Sequence, residues 1–115
     1  MGSEPERQQD EPLDRRRFVR FAVSLSVIGR ARQFVGKELR GRVRNISAGG
    51  LMAEFPVEVV PRSTMALVLQ SRRGPLEVEG KVMWTSATAC KIRHGLAFPE
   101  RKGPHFMDLV VAKNG

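Results

Sequence analysis

The sequence predicts an all-β fold: a small six-stranded antiparallel β-barrel with a disordered N-terminal arm and a short C-terminal helix. Three observations carry this expectation. From residue 20 onward apolar side chains recur with a period of two, in short runs separated by Gly, Pro, Ser and Asn. A chain of 115 residues suffices for one hydrophobic core and not for two. Residues 1–14 set a single Leu among Glu, Gln and Pro, too little apolar surface to fold alone. The expected organisation is a disordered acidic arm over 1–14 and one domain over 15–115.

The strands follow in order. Phe21, Val23, Leu25 and Val27 alternate with smaller or polar residues, and Leu39, Gly41 and Val43 alternate with Glu38, Arg40, Arg42 and Arg44. Leu51, Ala53 and Phe55 form the third run, and Met65, Leu67 and Leu69 the fourth. Leu76, Val78, Gly80, Val82 and Trp84 stand against Glu77, Glu79 and Lys81; Ile92, Leu96 and Phe98 close the series. This alternation places Phe21, Phe55 and Phe98 in the inward register. It also puts Trp84 on the face of Val78 and Val82, as a core residue. After Pro104, Phe106, Leu109, Val110 and Lys113 are spaced three or four apart before Gly115, a pattern for a terminal helix. A seventh strand through Leu109 to Ala112 is the competing reading.

Charge narrows the function. The chain carries 20 basic and 12 acidic residues. Five acids and one base fall in residues 1–14, leaving a net +12 on the rest. Such a body attracts anions: a nucleic acid, a nucleotide or an acidic surface. No apolar run reaches the roughly 18–20 residues of a membrane span, and the polar start lacks the pattern of a signal peptide. The expected compartment is the cytoplasm, with no membrane partner. One cysteine, Cys90, and two histidines, His94 and His105, offer neither a disulfide framework nor a zinc site, so no metal or cofactor is expected. Enzyme readings fail as well. The carboxylates are scattered, Cys90 sits in an expected hairpin connection (85–91), and no nucleophile elbow or phosphate-binding glycine loop is present.

Two segments remain. The first is Arg15-Arg16-Arg17-Phe18-Val19-Arg20, at the junction of arm and first strand. Guanidinium groups present planar forks to phosphate oxygens and to the O6/N7 edge of guanine, and they stack on bases. Arg40 and Arg44 share the same spacing and read as an exposed strand face. The second is Asn45-Ile46-Ser47-Ala48-Gly49-Gly50, between the second and third strands. Short polar side chains and two glycines suit a tight turn that lets a flat ligand approach the main chain. Taken alone, it reads as a polar β-turn.

In this order and spacing the two segments resemble the signature of the PilZ family, the bacterial receptors for cyclic di-GMP. That signature is Arg-x-x-x-Arg before the first strand and Asp/Asn-x-Ser-x-x-Gly between the second and third. Arg16 and Arg20 match the first part; Asn45, Ser47 and Gly50 match the second. Gly80-Lys-Val-Met-Trp84 and Gly95-Leu-Ala-Phe98 are similar to the family's later strands, so the resemblance spans Arg15 to Phe98. Asn45 stands where many members have Asp, which exchanges a carboxylate for an amide with one accepting oxygen.

The resemblance implies a receptor or adaptor, not an enzyme, whose ligand is cyclic di-GMP and whose N-terminal surface changes on binding. Arg16 and Arg20 would grip phosphate and a guanine edge. Asn45 and Ser47 would bond the other guanine, and Gly49 and Gly50 would let that base approach. Arg93 or His94 would add a cation. In the family a basic residue before the first motif goes with two intercalated ligands, and Arg15 holds that position. A downstream protein partner is implied but unidentified. Two alternatives stand beside this: a PilZ-like adaptor that binds no nucleotide, and a basic barrel binding single-stranded nucleic acid.

Overall fold

The structure is a computed structural model, and residues 18–111 are described. The arm over 1–14 and the arginines Arg15, Arg16 and Arg17 lie outside the described residues. Six strands, β1 (Phe21–Ala31), β2 (Leu39–Ile46), β3 (Gly50–Phe55), β4 (Thr64–Ser71), β5 (Gly74–Ala87) and β6 (Ile92–Ala97), precede one helix, α1 (Pro104–Val110). All pairings are antiparallel and close into a barrel in the order β1-β2-β3-β6-β5-β4. Closure leaves no free sheet edge, which suits a domain this small. No helix among the described residues is long and apolar enough to cross a membrane.

The alternating apolar residues fill the barrel. Val43, Ala53, Phe55, Met65, Leu69 and Val82 are all fully buried. Phe55 and Phe98 are buried as expected, whereas Phe21 is 37% exposed. It is the first residue of β1 and pairs with buried Ile46.

Three strand pairings carry a register shift: one falls between Ala22 and Leu25 on β1, and the other two bring residues out onto one surface. Across β2 and β3, Val43 faces Ala53 but Asn45 faces Met52, so β2 carries one extra residue at Arg44. Across β5 and β6, Val82 faces Leu96 but Trp84 faces Gly95, so Met83 is the extra residue there. An inserted residue reverses which face every later side chain takes. Ile46 therefore turns inward and Asn45 outward. Trp84, expected in the core with Val82, turns out to the surface and is 41% exposed.

The C-terminal segment is helical, with Pro104 in its first turn, and the alternative seventh strand does not form. Buried Val110 packs the helix onto the core, and the Phe106 ring meets Phe98 edge-on at 5.7 Å. The Arg72 N–H donates to Leu109 O at 3.1 Å, tying the helix to the β4–β5 turn. Strand β5 runs to Ala87, further than its expected end at Trp84. The connection shrinks to 88–91, where Cys90 is an exposed free thiol.

His94 fastens the other end. Its ring is fully buried against Phe55, with centroids 5.3 Å apart. The Val59 N–H donates to Nε2 at 3.0 Å, and Nδ1 lies 3.0 Å from Ile92 O. These partners fit the neutral ring with its proton on Nδ1. Burial pushes the His94 pKa down, against the opposing pull of the Ile92 carbonyl.

Candidate functional site

The shifts in β2 and β5 build one row of outward residues across four strands: Asn45 on β2, Met52 on β3, Gly95 on β6 and Trp84 on β5. Beside this row lies a cavity of about 240 Å³, lined also by Phe18, Arg20, Ser47, Gly49, Gly50, Leu51, Met83, Leu96 and Ala97. The five expected site residues within the described part, Arg20, Asn45, Ser47, Gly49 and Gly50, thus meet at one place. Arg15 and Arg16 lie outside the described residues. A larger open concavity, about 1290 Å³, lies at the opposite end of β1 around Arg30, Lys37 and Arg40. It contains none of the signature residues, and Arg30 is already paired with Glu38 there. The chemistry favours the smaller cavity.

The turn that floors the cavity is held from within. The Ser47 N–H donates to Gly50 O at 2.8 Å, and the Gly49 N–H donates to Ser47 Oγ at 3.2 Å. The Ser47 hydroxyl is therefore occupied in shaping the turn. The chain leaving β6 anchors the same turn, since the Phe98 N–H donates to Gly49 O and the Lys102 N–H to Ala48 O.

The glycines serve by their lack of a side chain. Neither Gly49 nor Gly50 has a positive φ, so unusual backbone angles are not what these positions require. A Cβ at Gly50 would lie 2.2 Å from Leu96 O, and one at Gly49 would lie 2.9 Å from the Phe18 ring. Close approach, between strands and between turn and N-terminal segment, is what these positions require.

Sequence reasoning missed the cavity's apolar wall. Trp84 packs against Gly95, where a Cβ would come within 2.2 Å of the indole. Phe18 covers Gly49, and the Arg101 guanidinium sits 5.2 Å from the Phe18 ring centroid. Lys102 is 5.3 Å from the Phe98 ring and 5.4 Å from the Phe106 ring. An exposed Trp, Met52, Met83 and Phe18 beside Arg20 and Asn45 make a slot for a flat, polar-edged, anionic ligand. Below about 300 Å³ the slot is smaller than usual small-molecule pockets and suits one planar ring.

Neither proposed extra cation joins this slot. His94 points into the barrel and is held neutral, which corrects the expectation that it supplies charge. Arg93 stands one outward position along β6 from Gly95, and its Nε is 3.6 Å from Glu54 Oε2. Glu54 also takes a hydrogen bond from Arg44 Nε at 3.0 Å, and this bond holds its carboxyl below the usual range.

Comparison with known proteins agrees with the fold. No curated protein matches the chain. Among solved structures, the chain is similar to the PilZ domain of YcgR from Escherichia coli with c-di-GMP. That match has 18% identity, a TM-score of 0.66, and covers 83% of this chain and 86% of the other. The crystal structure of Escherichia coli YcgR in complex with c-di-GMP matches at 17% identity and a TM-score of 0.66, over 83% of this chain and 42% of that one. The Bacillus subtilis inhibitor of motility (MotI/DgrA) matches at 19% identity and a TM-score of 0.63, with 81% of this chain covered. The chain spans only 46% of that inhibitor's length. At such identities the likeness establishes the fold. The sequence profile described as PilZ domain matches residues 14–109, from the arginine cluster to the C-terminal helix, and the chain belongs to the PilZ domain family.

Proposed function

We propose that this chain is a receptor for cyclic di-GMP that binds the dinucleotide over the Trp84–Asn45 row and acts through a protein partner. The observation that carries this reading is the convergence of Arg20, Asn45, Ser47, Gly49 and Gly50 on one slot beside an exposed indole. One guanine enters the slot and stacks on Trp84, with the Asn45 amide at its polar edge. Arg20, together with Arg15 and Arg16 from the N-terminal segment, meets the phosphates and the second guanine. Closure of that segment over the ligand changes the N-terminal surface, which is what a partner would read. The YcgR PilZ domain, of the same fold, was solved with c-di-GMP, which supports the choice of ligand.

A binding role also fits the groups present. The nearest carboxylate in the outward row beside the slot, Glu54, is engaged by Arg44 and Arg93. Among the described residues, the slot is lined by Arg20, short polar groups and apolar walls, a set suited to binding. A single-stranded nucleic acid is the poorer fit, because such readers stack successive bases on several surface aromatics. Here Phe55 and Phe98 are buried, and among the described Phe and Trp side chains only Phe21 and Trp84 are exposed.

Calorimetric titration tests the reading. Cyclic di-GMP should bind saturably, and GMP, cyclic di-AMP and short single-stranded DNA much more weakly. Arg16→Ala and Arg20→Ala should each weaken binding by roughly 1.5–3 kcal/mol, the loss of charge-assisted bonds, and Ser47→Ala by less. Absence of heat at high-micromolar ligand refutes the proposal. Arg15 supports a stoichiometry of two, since a second ligand needs a further cation and a planar group to stack on. Arg15→Leu should move the inflection from two towards one with binding retained. An inflection at one in the unmodified protein refutes that part alone.

A further inference from the structure

The outer face of β2, β3 and β6 carries a strip of charge that the dinucleotide reading does not use. Arg40, Arg42 and Arg44 point outward in succession along β2, with Arg93 on β6 and Lys91 at its start. Glu54 lies among them: it faces Arg42 on one side and Arg93 on the other in the strand register. Its carboxylate is taken by Arg44 and Arg93. Arg42 reaches only the neutral Ser24 hydroxyl, at 3.2 Å. Among the described residues, Arg40, Arg42 and Lys91 have no carboxylate within ion-pair distance. Five cations around one acid leave a local excess of four positive charges.

We propose that this strip is the docking surface for the chain's own acidic segment, Glu4 to Asp14. Glu4, Glu6, Asp10, Glu11 and Asp14, with Arg7 as the one base, carry a net −4, which matches the strip's excess. The segment also starts in the right place. Phe18, the first described residue, lies on Gly49 just ahead of β3, and Glu54 is the second outward residue past Gly50, about 13 Å along the strand. Ten residues from Asp14 back to Glu4 reach at most about 33–36 Å, and the strip from Arg44 to Arg40 is only about 13 Å long. Docking neutralises a face that otherwise attracts polyanions indiscriminately. It needs no nucleotide and stands or falls apart from the ligand assignment.

Paramagnetic relaxation tests it in the full chain. A nitroxide is placed at Gln8→Cys on a Cys90→Ser background, without nucleotide, at about 50 mM salt. Amides of Arg42, Glu54 and Arg93 should lose more than half their intensity, while those of Val68 and Gln70 on β4 keep theirs. At about 0.5 M salt, or with Arg42→Gln and Arg93→Gln combined, the loss should disappear, as screening of exposed pairs requires. Mixing spin-labelled unlabelled-isotope protein with unlabelled-spin ¹⁵N protein should give no broadening. Broadening in that mixture would mean docking on a second copy and would overturn the proposal. So would broadening spread evenly over the barrel, confined to the cavity residues, or insensitive to salt.

Discussion

Gly95→Ala puts the geometry of the slot to a sharp test. A Cβ there would lie 2.2 Å from Trp84 Cε2 and Nε1 and 2.7 Å from Cζ2. Non-bonded heavy atoms settle at about 3.5 Å or more, so the indole must retreat by over ~1 Å along its whole edge. That amounts to leaving the strand. Trp84 is 41% exposed, so of roughly 250 Å² about 150 Å² is buried and at stake, about 3.7 kcal/mol at 25 cal/mol per Å². Replacing a strand glycine returns about 0.5–1 kcal/mol of backbone entropy. The net loss expected is about 3 kcal/mol if the indole leaves the strand altogether. Trp84 is the chain's single tryptophan, so its fluorescence reports the event directly and should shift to the red. Urea denaturation followed by circular dichroism gives the stability. In a Trp84→Ala background the same glycine substitution should be neutral or slightly stabilising, because only the entropy gain remains. Equal destabilisation in both backgrounds, with unchanged emission in the first, would refute the packing argument.

Two further outcomes follow from close contacts and burial. Gly50→Ala should lower stability by about 2–3 kcal/mol in urea denaturation, because its Cβ meets the Leu96 carbonyl of a paired strand, which cannot rotate aside. A loss under about 0.5 kcal/mol would contradict that contact. His94, whose folded pKa is lowered by burial, contributes stability that is complete above its unfolded pKa near 6.5 and is lost as pH falls below it. Stability measured at pH 5 should therefore be below that at pH 7.5, with a slope of up to about 1.4 kcal/mol per pH unit, and His94→Gln should flatten that slope. An identical slope in the variant would locate the titration elsewhere.

The barrel itself was legible because period-two alternation is a direct consequence of burying one face of a strand. So were the signature residues, whose spacing brings Arg20, Asn45, Ser47 and the glycines together. Trp84 was misplaced for a definite reason. One extra residue at Met83 reverses the face of everything after it, and nothing in Val82-Met83-Trp84 marks the insertion. A signal did exist on the partner strand: Gly95 interrupts a run of strand formers with no turn to justify it, and a glycine there implies close approach from across the sheet. Similarly, Arg44 and Asn45 are consecutive polar residues followed by buried Ile46, which marks a slip in β2. His94 could also have been placed by parity alone, since Ile92 and Leu96 share its inward face. Its chemistry hid this, because a polar residue beside Arg93 reads as surface until its partners, Val59 and Ile92, are known.

The shifts in β2 and β5 explain how a barrel this small can hold a core and the proposed site at once. Interior positions of six strands are all committed to packing, so a ligand site must be assembled outside, where alternation supplies mostly charged side chains such as Glu77, Glu79 and Lys81. Each shift releases one side chain from that pattern. At β2 it brings Asn45 out while Ile46 fills the core, and at β5 it brings Trp84 out while Thr85 takes the inward place opposite His94. An amide and an indole then face each other across Met52 and Gly95, on a surface that strict alternation would have closed to both. Because neither side chain belongs to the core, either can change without emptying a space inside the barrel. Gly50 and Gly95 lack that freedom, since the approach of a strand and of the indole depends on their having no side chain. Variation in what this surface recognises should therefore concentrate at Asn45, Met52 and Trp84, on a framework fixed by its glycines.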